Sequence, residues 1–412
     1  MSNSMKDIFY QTHPTRALSA LFLCLSLALT ACNDKYPKAN MPDTPLETPL
    51  EIIIEPKKVA MTKTWAAGIK DDGTLWTWGS GLSKIRRTTT GNPVDPTPMP
   101  VEGINDAVAI SGGIGHMLLL RKDGSVWGWG SNHDGYVDPN DDNTLIYQPR
   151  KIEGLEGVVD VVAGIGDSFF LTKQGEVYTI GENEKGWTNG VNQPNKVPTK
   201  IPNLTNIVRF GSLGNVSVAL NSQGEIYTTG VDWQGLGREV VERHDHDEIA
   251  FYPADKVELP HKAVDFFVTG SDVGVLLETG EVWVWGANPV RIGIKSSASN
   301  RITKPIKHPQ LNQIINIGEG SAVASNGDLY IWGEQGFGNS VNSRSRVYIH
   351  HPIRIMQNVK PSELYLTSVV LNNGELWVWG SNHHGKRGTG NVVNTFYEEY
   401  ILTPEKSLFT TH

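Results

Sequence analysis

Seven times along the chain a polar turn ending in glycine leads into residues that alternate apolar and polar, and a second glycine stops the run. The clearest copy is Asn373-Gly374-Glu375-Leu376-Trp377-Val378-Trp379-Gly380. Close copies begin at Asp72-Gly73, Asp123-Gly124 and Thr279-Gly280, and each carries a Trp-x-Trp-Gly. Gln174-Gly175, Gln223-Gly224 and Asn326-Gly327 lead into copies in which tyrosine replaces the first ring. Period-two alternation predicts a strand, and the glycine ahead of it predicts a hairpin turn. The turn glycines stand at 73, 124, 175, 224, 280, 327 and 374, spaced by 51, 51, 49, 56, 47 and 47 residues. A period of about fifty in an all-strand pattern predicts propeller blades.

Each repeat divides into four strands, A to D. In the second, strand B is Ala107-Val108-Ala109-Ile110, and the loop Ser111-Gly112-Gly113-Ile114-Gly115 leads to C, which runs from His116 to Leu120. Arg121-Lys122-Asp123-Gly124 then turns into D. Gly-x-x-His, an apolar run, Lys-Asp-Gly and Val-Trp-x-Trp-Gly-Ser-Asn in this order resemble the regulator of chromosome condensation repeat family, over residues 56–404. The resemblance implies an all-β fold, a seven-bladed β-propeller of four-stranded antiparallel blades whose ring is closed by a terminal strand. At the family's histidine position the repeats carry Trp65, His116, Asp167, Val216, Val273, Gly320 and Thr367. A histidine kept in one blade of seven reads as a structural hydrogen-bonder. The paired tryptophans, two residues apart on one strand face, read as packing between blades. Residues 395–402 are expected to supply an outer strand to the first blade, with residues 51–55 as the competing segment.

B and D run the same way and C runs opposite, which puts the B–C and D–A loops on one face and the short C–D turns on the other. The first face carries Trp65, His133, Tyr136, Trp187, Trp233, Phe337, Tyr365, His384 and Arg387. Aromatic, His and Arg side chains on scaffold loops are the usual material of protein-binding hot spots, and these nine are the candidate partner contacts. About half of the rings are expected to tuck into the blade edges instead.

Charge narrows the choice of partner. The 412-residue chain has a formal net charge of −8 and no basic run, which argues against nucleic acid or an anionic membrane surface. Both cysteines, Cys24 and Cys32, lie near the N-terminus, so beyond residue 32 packing and closure must hold the fold without disulfides. Lys6 and Arg16 precede an apolar stretch at 17–31, which suits a secretory signal. It ends in Leu29-Thr30-Ala31-Cys32, which resembles the lipobox of bacterial lipoproteins. That resemblance implies a signal peptide over 1–31, cleavage before Cys32 and acyl chains such as palmitate on Cys32. Residues 32–50, with prolines at 37, 42, 45 and 49, read as a disordered tether ahead of a propeller over 51–412. Asn33 rather than Asp follows the cysteine, which by the same resemblance points to the outer membrane rather than the inner.

Two stretches could hold a metal. His244 and His246 alternate in Arg243-His244-Asp245-His246-Asp247-Glu248, and Asp138-Pro139-Asn140-Asp141-Asp142-Asn143 is rich in oxygen ligands. The first lacks a third ligand at fixed spacing and the second lacks a calcium loop's glycine and terminal Glu, so neither a metal nor a cofactor is assigned. No nucleophile elbow, phosphate loop, dinucleotide fingerprint or His-Glu-x-x-His occurs. The expectation is a non-enzymatic, monomeric, lipid-anchored envelope protein that grips another protein. The alternative is an envelope hydrolase or carbohydrate-binding propeller that uses its channel or the His/Asp insertion. The family resemblance supplies two precedents, a nucleotide-exchange factor and a secreted β-lactamase inhibitor. It names no target.

Overall fold

The computed structural model describes residues 46, 48–53, 55–62, 64–80, 94–141, 143–183, 187, 193–240, 250–295, 301–335, 347–365, 367–382, 384–392 and 402–412. Cys32, His244, His246 and Phe337 fall outside these residues. Strands β1 to β28, numbered in chain order, form seven four-stranded antiparallel sheets. The second sheet is β5 (Ala107–Gly112), β6 (His116–Arg121), β7 (Val126–Ser131) and β8 (Leu145–Ile152), paired in that order. The expected blades are therefore present. Each of the seven turn glycines has φ between 74° and 84°, a left-handed conformation in which a side chain would be strained.

In strand D the two rings of the repeated phrase divide their work. The second ring is fully buried in Trp78, Trp129, Trp285, Trp332 and Trp379. It packs against the blade before its own: Trp129 lies 6.0 Å from Trp65, Trp332 lies 6.2 Å from Phe267, and Trp285 donates its indole N–H to the Gly235 carbonyl at 2.8 Å. Burying such a ring contributes on the order of 1.5–3 kcal/mol. The first ring lies nearer the rim and ties to the residue two before it. Trp76 donates to Thr74 at 3.0 Å, Trp127 to Ser125 at 2.9 Å and Trp283 to Glu281 at 3.1 Å. Tyr178, Tyr227 and Tyr330 make the same link through their hydroxyls. Glycine, a turn polar residue and a ring thus form one unit that fixes each C–D turn.

Blade and sequence repeat are offset by one strand. Strand B is innermost, and the A segment that opens the next repeat pairs as the outer strand of the blade before it. This offset corrects the expected closure. The first blade is complete with β1 (Val59–Met61), β2 (Trp65–Ile69), β3 (Leu75–Ser80) and β4 (Val94–Pro100). The A strand missing before β1 belongs to the seventh blade, where β28 (Glu405–Thr410) supplies it beside β27 (Glu375–Val378). Residues 51–53 and 55 form no strand, and residues 395–401 lie outside the described residues. The seam is the same contact found elsewhere in the ring: Trp78 of the first blade stacks on Phe409 of the seventh, with centroids 5.2 Å apart.

A second correction comes from register. His116 pairs with Gly130 and Asp167 with Gly181, and in the fifth blade the equivalent pair is Asp272 with Gly286. Asp272 rather than Val273 therefore occupies the histidine position. One residue of slip in a strand moves a side chain to the other face.

Candidate functional site

The loop face is pre-built by asparagines that follow strand D. Asn132 donates to the Asp138, Asp141 and Asn143 carbonyls at 3.0–3.1 Å and accepts from the Val137 and Asp138 N–H groups at 3.0 and 2.8 Å. Asn382 donates to the Asn391 carbonyl at 3.0 Å and accepts from the Arg387 N–H at 3.1 Å. Asp167 and Asp272 reach these loops from strand C, accepting from the Asn183 and Asn288 N–H groups at 2.8 and 2.6 Å. Burial pushes the Asp272 carboxyl up to about 7, against that hydrogen bond and Arg291 at 3.9 Å. Arg150 pairs with both Asp138 and Asp141, so a guanidinium already serves the oxygen-rich stretch.

Several candidate contacts prove to be part of this framework. Trp65, Tyr136, Trp187 and Arg387 are buried. Trp187 donates to Asp167 at 3.0 Å, and Arg387 binds Glu405 and the Thr403 carbonyl at 3.2 Å each. Rings in loops pack because each blade leaves an apolar edge at its end, as Phe169 does 6.0 Å from Trp187. His133 is exposed and His384 half-buried on the loop face, and Trp233 begins a short 3-10 turn there. Sequence reasoning missed Ile165, which stands 47% exposed in the third blade's B–C loop. His116 is buried, its Nε2 3.1 Å from Ser168 Oγ and its ring 4.7 Å from Tyr136. Burial pushes it down to about 3, which keeps the imidazole neutral.

Tyr365 belongs to the axial channel. In six blades the inner strand carries a bulge at one register position, immediately before Ala109, Asp160, Arg209, Asp265, Asn316 and Glu363. The five polar members line a mouth of about 820 Å³ on the turn face. Lys57 enters the same space and joins it to a narrower lumen of about 200 Å³ toward the loop face. Arg209 forms an ion pair with Asp265, and Glu363 accepts from the Lys58 N–H at 3.0 Å and from the Tyr365 hydroxyl. Lys57 Nζ lies 5.8 Å from the Tyr365 ring centroid. Burial and the Arg209 charge lower the Lys57 amine, while Asp160, Asp265 and Glu319 oppose that shift. Lys57 is nonetheless exposed within the channel, and solvent there limits the desolvation. Burial raises Asp160 and Asp265 and pushes Glu319 up to about 7. At the loop-face end, burial and then Arg387 push Lys386 down to about 8. The ring could have been read from Val-Asp, Val-Arg, Val-Asp and Ile-Asn recurring at one place in otherwise apolar B strands.

Residues 107–135 match the Regulator of chromosome condensation (RCC1) repeat. The E3 ubiquitin-protein ligase HERC2 of Homo sapiens is 28% identical over 268 residues, which are 62% of this chain and 5% of that protein. The chain thus spans a small part of that relative. Among solved structures, human WBSCR16 superposes with a TM-score of 0.66 at 17% identity, covering 82% of this chain and 95% of that one. Prp20p from Saccharomyces cerevisiae superposes with a TM-score of 0.63 at 18% identity, covering 87% of each chain. With one matched RCC1 repeat, these relatives and seven four-stranded blades, the chain is a seven-bladed β-propeller similar to the RCC1-repeat proteins.

Proposed function

We infer that this propeller is a non-enzymatic, lipid-anchored protein of the bacterial cell envelope that binds another protein through its loop face. The observation that carries the reading is the loop face, where an asparagine-held D–A loop presents His133 and the third blade's B–C loop exposes Ile165, so that little ordering is needed on binding. Prp20p, similar in fold, has been studied for its binding to Gsp1p and histones, which supports protein recognition as a role for a propeller of this kind. The anchor rests on the lipobox-like run ending at Cys32.

Two experiments test the two halves. Replacing Cys32 with alanine should move the protein from the membrane to the soluble fraction while leaving its melting temperature unchanged; retention in membranes would remove the lipid anchor. Cross-linking in intact cells should give one discrete adduct with the unaltered protein. Ile165→Arg should reduce its yield about tenfold, as loss of an interface anchor does. Lys122→Glu, beside the second blade's turn on the opposite face, should not. An adduct sensitive to the turn-face change alone would overturn the loop-face assignment.

A further inference from the structure

Three neighbouring B–C loops each carry an aliphatic residue at the loop-face end of the lumen. They are Ile114, Ile165 and Leu213, in the second, third and fourth blades. Ile165 is exposed, and the other two are half-buried where they line the lumen. The backbones of these loops interlock. A Cβ on Gly113 would stand 2.2 Å from the Gly164 carbonyl oxygen, and one on Gly214 would stand 2.7 Å from Gly270 Cα. Ala163 donates its N–H to Ser111 Oγ at 3.0 Å, and Gly270 donates its own to the Leu213 carbonyl at 2.6 Å. Loops packed this closely through glycine leave no room for side chains between them, so the three tips form a fixed apolar arc.

Across the ring the sixth blade brings a charge to the same tier. Glu319 begins that blade's B–C loop, half a turn from the second and third blades. Of the charged groups that line the lumen, Lys57, Asp160 and Arg209 also line the turn-face mouth and so lie deeper; only Glu319 and Lys386 belong to the loop-face end alone. Lys386 is 3% exposed and already engaged within the framework. Glu319 is partly exposed, and among the described residues it accepts no hydrogen bond and forms no ion pair. The charge that acts on it, Lys57, is shared with Asp160 and Asp265 deeper in the channel. The lumen beside it, about 200 Å³, falls below the usual range of small-molecule sites but takes a single long side chain. We propose that the loop face receives a protein loop in which a lysine or arginine stands between aliphatic residues, the cation entering the lumen against Glu319 and its apolar neighbours lying on Ile114, Ile165 and Leu213. This partner chemistry rests on the loop-face binding proposed for the propeller. The net charge of −8 favours the same sign of partner.

The test is a methyl NMR titration of the purified protein with two tripeptides blocked at both ends, leucine-arginine-leucine and leucine-glutamate-leucine. The arginine peptide should shift the methyl signals of Ile114, Ile165 and Leu213 saturably and bind about tenfold more tightly than the glutamate peptide, the scale of a charge-assisted contact. Glu319→Gln should remove that preference. Ile165→Arg, at an exposed position, should weaken the arginine peptide about tenfold, which keeps the test open should the Glu319 variant fail to fold. Equal affinity for the two peptides, or no saturable shift at these three residues in the folded wild type, would overturn the proposal. So would a preference that survives Glu319→Gln. The cellular cross-link reports on the loop face without either peptide, so failure of the partner chemistry is distinguishable from failure of the face.

Discussion

Trp78→Ala is expected to cost about 3–5 kcal/mol, the range for truncating a buried tryptophan, and to act at the seam of the ring. The side chain is fully buried, its indole N–H donates to the Lys386 carbonyl at 2.7 Å, and its ring stacks on Phe409. Val370, Leu376 and Val378 of the seventh blade complete its surroundings together with Val59 and Ala66 of the first. The same strand supplies its own control. Trp76 is half-buried and bonded locally to Thr74, with Lys70 Nζ 4.8 Å over its ring, so Trp76→Ala should cost less than half as much, as partial burial gives. Denaturant unfolding of both variants and of Phe409→Ala would decide the matter. Trp78 and Phe409 should show a coupling of about 0.5–1.5 kcal/mol in a double-mutant cycle. Equal losses for Trp76 and Trp78 would mean that the seam contributes no more than the rim.

Acid should cost the fold the contribution of His116 and His308 before any carboxylate partner is lost. Ser168 Oγ donates to the Tyr136 carbonyl and so accepts from His116 Nε2, leaving Nδ1 unprotonated. His308 Nδ1 accepts from the Gln310 and Leu311 N–H groups at 3.2 and 3.0 Å, which a proton there would break. Burial pushes His116 to about 3 and His308 to about 4, both below the ordinary value of 6.5. The unfolded chain therefore takes up these protons first, and the two rings' contribution to stability is lost as pH falls below 6.5 until the folded rings themselves titrate. The stability difference between wild type and His116→Asn should shrink by about 1.4 kcal/mol per pH unit over that window, on the order of 2 kcal/mol by pH 5. The difference isolates the histidine from Asp272 and Glu319, whose raised values make stability fall in the other direction, as pH rises toward about 7. A difference that stays flat from pH 7 to about 5 would show that His116 is protonated in the fold.

How far the chain could be read before its structure depended on the kind of signal each element carries. The C–D turns and D strands were plain because glycine conformation, a polar turn and alternating rings all require one another within eight residues. The innermost strands were recognisable as strands, but their function was not. A bulge shifts the inward-facing position by one, and period-two reading cannot follow that shift at Asp160 or Arg209. The same one-residue uncertainty put Val273 where Asp272 stands. Closure was misread because the repeated phrase begins at an outer strand while the sheet begins at an inner one. Trp187 and Tyr136 looked like surface anchors because sequence gives loop membership, and burial is decided by the neighbouring blade's edge.

Every sheet is built from consecutive stretches of chain, with none shared between the two ends, and those ends meet where His412 Nδ1 lies 2.6 Å from Asp71 Oδ2. A circular permutant opened between any two blades keeps every ladder hydrogen bond, and duplication of a whole blade adds a unit to the circle without unpairing one.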